Sequence, residues 1–185
     1  DVVYEVLKDK DYYEQSNGGV TISGGEPFMQ FDAFLELIKQ CKEKRLHVAV
    51  ETTGNYSLDK LKQALPYVDL FLMDLKHLDA QKLKEVTGGN LDLILNNFTY
   101  LAKNCSEKVI VRMPVIPRFN DDICEDVIKF CASLKLSEVN LLSFHTMGKN
   151  KWNQLNKEFL YDQDKMMNRN DLTPYIDIGK QLGVY

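Results

Sequence analysis

Short apolar runs alternate with helical stripes along this chain, and this alternation constrains its fold more than any other feature. Five runs are rich in Val, Ile, Leu and Phe, as strands buried on both faces of a sheet are. Each is followed by apolar residues at three- and four-residue spacing, which is typical of amphipathic helices. The pattern predicts βα units and a parallel sheet. The predicted strands cover residues 19–23, 47–51, 68–74, 108–114 and 138–144.

The number of strands limits the architecture. A complete eight-unit barrel typically takes about 250 residues, and this chain has 185. The residues alone therefore leave two α/β folds open, an open doubly wound sheet or part of a barrel. No repeat or linker divides the chain, so residues 1–185 are interpreted as one domain. The predicted helices cover residues 31–41, 58–65, 91–101 and 123–134, with one leading in around 2–7 and one closing around 175–182.

The composition argues against several classes of protein. Hydrophobic residues make up 44% and charged residues 27%, which is ordinary for a soluble globular protein. No run approaches the ~18 apolar residues of a membrane helix, and the first residues do not resemble a signal peptide. The net charge of −4 disfavours binding to a phosphate backbone. We therefore expect a cytoplasmic protein that binds neither nucleic acid nor membrane. Its four cysteines, which form no CxxC pair, are interpreted as small core residues.

Polar or conformationally permissive residues follow all five predicted strands. Because the carboxyl ends of parallel strands meet at one edge of a sheet, we expect these residues to form a single site. Paired glycines allow a ligand to approach the backbone closely. Carboxylates and backbone carbonyls are suitable acceptors for an ammonium group. The candidates are Gly24, Gly25 and Glu26, then Glu51 and Thr52, then Asp74, Leu75 and Lys76, then Arg112, and finally His145.

Four segments resemble the radical S-adenosylmethionine (SAM) enzymes that activate glycyl radical enzymes, such as pyruvate formate-lyase activating enzyme. Residues 18–27 (GGVTISGGEP) are similar to that family's GGGVTxSGGEP segment. Residues 51–54 (ETTG) and 74–76 (DLK) resemble its (D/E)T(S/T)G and DLK elements. Residues 145–152 (HTMGKNKW) resemble its HxLGKxKW loop, with Met147 in place of Leu. The last segment is the most discriminating, because few radical SAM enzymes outside the activases have it.

The resemblance implies how one end of SAM is held. Gly24, Gly25 and Glu26 would receive the amino group of its methionine moiety. Glu51 and Asp74 would lie near the methionine carboxylate, and a monovalent cation could sit between the two acids, as in activases of this kind. No protein-ligated metal centre is expected within the chain itself.

The remaining candidates also take their roles from the resemblance. Thr52 and Leu75 belong to the same SAM-binding segments. Lys76 and His145 would contact the carboxylate or ribose region of SAM. Arg112 would steady the adenosyl group or the incoming peptide, and Lys76 and Arg112 are the catalytic candidates.

The resemblance further implies SAM and a [4Fe–4S] cluster as cofactors, with an electron donor such as flavodoxin or ferredoxin. Together they would generate a glycyl radical on a partner enzyme such as pyruvate formate-lyase. The family binds its cluster through a CxxxCxxC segment upstream of GGEP, and no such spacing occurs in this sequence. We therefore expect a partial (βα) TIM-type barrel that lacks the first strand and cluster loop. These cofactors would act in the full-length protein only, and the 185 residues alone would be inactive.

Two other functions are compatible with the residues. One is a metal-independent (βα)-barrel lyase or isomerase, in which Lys76 would form a Schiff base or act as a general base. The other is a non-catalytic module that binds SAM or a partner protein. Against the lyase or isomerase, no Gly-rich phosphate loop appears near the last predicted strands.

Overall fold

The computed structural model describes residues 2–147, 154–156, 158–159 and 166–185. Five parallel strands form one sheet in chain order. All five predicted strands are confirmed, with ends shifted by one or two residues. The sequential order excludes the doubly wound alternative, in which the strand order reverses, and leaves a partial barrel. The strands are β1 (Gly19–Ile22), β2 (His47–Thr52), β3 (Leu70–Asp74), β4 (Val109–Val115) and β5 (Val139–Ser143).

The predicted helical stripes all form helices, and two further short helices appear. Two helices, and not the single predicted one, precede the first strand, and one additional helix follows β3. That helix begins where Asp79 accepts a hydrogen bond from the Lys82 backbone N–H at 2.9 Å. It buries only Leu83, so it has no apolar stripe to predict it from. The helices are α1 (Val2–Leu7), α2 (Lys10–Ser16), α3 (Phe31–Glu43), α4 (Leu58–Ala64), α5 (Ala80–Thr87), α6 (Leu91–Cys105), α7 (Cys124–Ser133) and α8 (Thr173–Leu182).

The two faces of the sheet differ, because successive side chains of a strand point to opposite sides. On one face, Val50, Met73 and Val111 are fully buried in the main hydrophobic core, together with residues of the helices. On the other face, Glu51 lies in register with Leu72, and Asp74 with Arg112. The side chains of Glu51, Leu72, Asp74 and Arg112 on this second face are only partly buried. The polar groups of neighbouring strand ends therefore share one open face.

All four cysteines are buried and free, which confirms their interpretation as core residues. Among the described helices, none combines the length and the apolar character that crossing a membrane requires.

Candidate functional site

The carboxyl ends of β1 to β3 and the middle of β4 bring together five polar side chains, which we call the rim cluster: Ser23, Glu51, Asp74, Lys76 and Arg112. The guanidinium of Arg112 contacts two carboxylates, with Nη1 2.6 Å from Glu51 Oε1 and Nη2 2.8 Å from Asp74 Oδ1. Ser23 Oγ donates to Glu51 Oε2 at 2.5 Å. Lys76 Nζ lies 3.7 Å from Asp74 Oδ2. Four of the predicted site residues therefore meet at one point.

The charges of the rim cluster reinforce one another. Hydrogen bonds from Ser23 and from Arg112 hold the pKa of Glu51 below its ordinary value. Burial alone would lower the pKa of Arg112, but the carboxylates of Glu51 and Asp74 raise it. These shifts favour the ionised forms of Glu51 and Arg112, which therefore face each other as opposite charges.

Glu26, in the GGEP segment, attaches the loop after β1 to the loop after β2. Its Oε1 accepts from Thr52 Oγ1 at 2.7 Å. Its Oε2 accepts from the backbone N–H of Thr53 at 2.8 Å and from Thr53 Oγ1 at 2.7 Å. The Phe28 backbone N–H donates to Oε1 at 3.3 Å. The carboxylate is thus a structural link as well as a predicted ligand group, and Thr52, which is 3% exposed, is one of its partners.

Aromatic packing strengthens the same junction between loops. The rings of Phe28 and Tyr56 are stacked, with centroids 3.6 Å apart and planes at 5°. Lys60 Nζ on α4 donates to the Phe28 backbone oxygen at 3.1 Å. Because Phe28 lies two residues after Glu26, these contacts fix the GGEP segment against the strand that carries Glu51.

The two glycines of the GGEP segment are accessible. Gly24 has φ of +127°, a backbone conformation that residues with a side chain rarely adopt. A Cβ placed on Gly24 or Gly25 would have no neighbouring atom within 4 Å. A groove of about 270 Å³ runs between Gly25 and Glu26 on one side and Phe34 on the other. The backbone here can be approached closely, as predicted.

Two buried asparagines hold the site loops, and sequence reasoning missed both. Asn97 on α6 donates from Nδ2 to the backbone oxygens of Gly54 and Tyr56, each at 2.8 Å. Asn120 donates in the same way to Lys76 and Pro114, at 2.7 and 2.8 Å. Asn97 could have been identified from the sequence, because it is a polar residue at a core position of an apolar helical stripe.

His77 was also missed, although it directly follows the DLK segment. It is 2% exposed, and its Nδ1 accepts from the Asp79 backbone N–H at 2.9 Å. Its ring lies 5.2 Å from that of Phe119. Its Nε2 has no hydrogen-bond partner in the described part of the chain. These contacts place His77 as a packing residue beneath Lys76.

The other predicted residues lie along the same edge of the sheet. Leu75 is fully buried, and its backbone N–H donates to the Arg112 oxygen at 2.9 Å, which continues the β3–β4 pairing. His145 is exposed, two residues beyond β5. Within the described ranges, no hydrogen bond or ion pair joins His145 to the rim cluster. Residues 148–152 of the last motif lie outside the described residues, so the role of that loop stays a prediction.

The cysteines present do not suit an iron–sulfur cluster. Burial raises the pKa of Cys124 to about 11 and that of Cys131 to about 12, and it also raises those of Cys41 and Cys105. Cluster ligation requires thiolates. In the part of the chain that the structure describes, no three His, Cys, Asp or Glu side chains are grouped to hold a metal ion.

The fold and the site define a class: a parallel (βα) partial-barrel domain whose polar residues gather at the carboxyl ends of its strands, where such folds bind ligands. Residues 1–131 match the Radical SAM superfamily. Since this match covers more than half of the chain, the chain belongs to the radical SAM superfamily.

Its relatives in sequence are activating enzymes. The chain is 37% identical over 187 residues to the 4-hydroxyphenylacetate decarboxylase activating enzyme of Clostridioides difficile (strain 630), covering 100% of this chain and 59% of that protein. It is 36% identical over 164 residues to the trans-4-hydroxy-L-proline dehydratase activating enzyme of Clostridioides difficile, covering 86% and 54%. It is 34% identical over 173 residues to the choline trimethylamine-lyase activating enzyme of Oleidesulfovibrio alaskensis, covering 90% and 56%. The chain therefore spans little more than half the length of these relatives.

A solved structure has the same fold. A domain of pyruvate-formate lyase-activating enzyme from Bacteroides vulgatus aligns with a TM-score of 0.71 at 24% identity, covering 90% of this chain and 96% of that one. At this identity the likeness concerns the fold, and it confirms the predicted partial barrel of the radical SAM superfamily.

Proposed function

We propose that this chain is the SAM-binding body of an enzyme that generates a glycyl radical on a partner protein. The rim cluster is the observation that carries the proposal. Arg112 and Lys76 can pair with the methionine carboxylate of SAM, and the adjoining backbone of Gly24 and Gly25 offers carbonyl acceptors to its ammonium group, so the site suits the zwitterionic methionine end of SAM. The named activities of the relatives support the same function.

The roles of individual residues follow from the contacts that they leave available. The Glu26 carboxylate already accepts four hydrogen bonds, so it orients the segment while the backbone of Gly24 and Gly25 offers carbonyl acceptors to the ammonium group. Lys76, 30% exposed, extends from the end of β3 and is free to contact the carboxylate or ribose of SAM. His145 would approach from the end of β5.

SAM and a [4Fe–4S] cluster, when bound, supply the radical chemistry. Since none of the four cysteines suits cluster ligation, we propose that the cluster ligands lie outside these 185 residues. A flavodoxin or ferredoxin is the proposed electron donor. The four free cysteines agree with a reducing cytoplasm as the place of action.

The partner is proposed by class. A glycyl radical enzyme fits the relatives, and the decarboxylase, dehydratase and lyase in their names are candidates beside pyruvate formate-lyase. The superfamily match argues against a metal-independent lyase or isomerase that uses Lys76 as its nucleophile.

The test uses the full-length gene product that contains these residues, reconstituted anaerobically with iron and sulfide. We expect reductant-dependent SAM cleavage and, with the correct partner, a glycyl radical signal in electron paramagnetic resonance. The 185-residue chain alone should bind no site-specific cluster. A cluster-loaded full-length protein that neither cleaves SAM nor activates any partner would instead indicate a non-catalytic binding module.

A pair of variants separates the site from the fold. Asp74→Asn removes a rim carboxylate and should weaken SAM binding to the full-length protein. Asp69→Asn is the matched control. Asp69 is not part of the rim cluster, and its Oδ2 pairs with Lys42 Nζ at a distance of 2.7 Å. Equal SAM affinity in the two variants would contradict the assignment of the rim cluster.

A further inference from the structure

Arg112 lies where the resemblance implies a monovalent cation. Its Nη1 contacts Glu51 at 2.6 Å, while its Nη2 and Nε contact Asp74 Oδ1 at 2.8 and 2.9 Å. These are the distances of charge-assisted hydrogen bonds. The guanidinium therefore bridges the two acids between which a metal ion would have to sit.

The backbone register fixes this arrangement. Asp74 on β3 lies directly opposite Arg112 on β4, and Glu51 on β2 lies opposite Leu72 on β3. Leu72 is two residues before Asp74, so both lie on the same face of β3. The three charged side chains thus project from neighbouring strands on one face. The bridge needs no rearrangement of a loop to form.

The charges of the two acids are balanced, and three of their four carboxylate oxygens already accept hydrogen bonds. Two carboxylates face two cations, Arg112 and Lys76, so no net negative charge remains to attract a metal ion. Both oxygens of Glu51 accept hydrogen bonds, one from Arg112 and one from Ser23. Asp74 Oδ1 accepts from Arg112, and Asp74 Oδ2 lies 3.7 Å from Lys76 Nζ. A hard cation needs several oxygen ligands, and among the described residues Asp74 Oδ2 is the one carboxylate oxygen of the pair that accepts no hydrogen bond.

We propose that the guanidinium of Arg112 is the counter-charge of the Glu51–Asp74 pair, so that this chain needs no metal cation there. Removing the guanidinium converts the two acids into a site that binds Na⁺ or K⁺. The proposal depends on the geometry of the rim cluster and is independent of the proposed activase function.

The experiment measures the thermal unfolding of the 185-residue chain in NaCl, KCl and choline chloride at equal ionic strength. The wild-type midpoint should be the same in the three salts. For Arg112→Gln, the midpoint should fall furthest in choline chloride and should be partly restored by Na⁺ or K⁺. Arg112→Lys keeps the positive charge and should remain insensitive to the choice of salt.

The control is Lys42→Gln, which breaks an ion pair to a single carboxylate, that of Asp69. It should lower the midpoint equally in all three salts. A wild-type midpoint that is higher in NaCl or KCl than in choline chloride would overturn the proposal, as would an Arg112→Gln midpoint without salt preference. If Arg112→Gln does not fold, the test is whether the wild-type protein broadens the ²³Na resonance. We expect no broadening, and saturable broadening would overturn the proposal. Neither measurement involves SAM, a cluster or a partner, so failure here leaves the activase function untouched.

Discussion

The side-chain amide of Asn120 donates a hydrogen bond to the backbone oxygen of Lys76 at 2.7 Å and so ties the loop after β4 to the end of β3. The same amide nitrogen donates to the Pro114 oxygen, and the amide oxygen accepts from the Ile116 backbone N–H at 2.6 Å. Asn120 is fully buried. The three hydrogen bonds are partly buried, and the position of Lys76 depends on them.

Asn120→Ala should lower the free energy of unfolding by about 2–4 kcal/mol, because it removes three partly buried hydrogen bonds to backbone groups. Urea unfolding should show a lower midpoint with an unchanged m-value. Asn104→Ala is the control, since Asn104 makes one exposed hydrogen bond to the Tyr100 oxygen on the same helix. A loss for Asn120→Ala no larger than that of the control would contradict the role assigned to Asn120.

Gly24→Ala should lower the free energy of unfolding by about 1–3 kcal/mol, because the φ of +127° at Gly24 is accessible to glycine but strained for alanine. No atom would clash with the new methyl group, so the loss would report backbone strain alone. Gly25→Ala is the neighbouring control, with equally open space and no positive φ. Its stability should stay within about 0.5 kcal/mol of wild type. Equal losses in the two variants, measured by urea unfolding, would contradict the strain argument.

The strands and long helices of this fold could be predicted from the sequence because their signals are local. A buried strand such as β4 appears as an apolar run, and the stripe of α6 repeats at helical spacing. The strand-end rule also predicted which residues gather, since Glu51 and Asp74 lie at the carboxyl ends of β2 and β3. Arg112 lies in the middle of β4, opposite Asp74. Short α5 was missed because it buries a single residue.

The pairing of these residues could not be predicted, because it depends on register between strands. Arg112 and Glu51 are 61 residues apart in sequence, and only the alignment of β2, β3 and β4 brings them together. The monovalent cation between the two acids came from the family resemblance and stays a prediction. The hydrogen bonds of Glu26 to Thr52 and Thr53 were hidden for the same reason, since they join separate loops.

Thr52→Val should lower the free energy of unfolding by about 1–3 kcal/mol, because the isosteric change removes a buried hydroxyl. That hydroxyl donates to Glu26 and accepts from the Gly54 backbone N–H at 3.2 Å. Thr52→Ser keeps the hydroxyl and should lose only about 0.8 kcal/mol, for one methyl group. In a double-mutant cycle with Glu26→Ala, which removes the acceptor, a coupling energy of about 0.5–3 kcal/mol is expected. Additive losses would show that the Thr52–Glu26 hydrogen bond carries no stability.

Glu51 should make the stability of the chain sensitive to acid. Hydrogen bonds from Ser23 and Arg112 lower its pKa in the folded state, so between the folded and unfolded pKa values the unfolded chain binds more protons. The contribution of Glu51 is therefore complete above the ordinary glutamate pKa of about 4.3 and is lost as the pH falls through the lower folded value. Urea midpoints measured from neutral pH downward should fall less steeply for Glu51→Gln than for wild type.

The control is Glu43→Gln, an exposed change on α3, whose urea midpoint should fall with pH as steeply as that of wild type. If Glu51→Gln loses stability with acid as steeply as wild type, the Ser23 and Arg112 hydrogen bonds do not stabilise the ionised carboxylate.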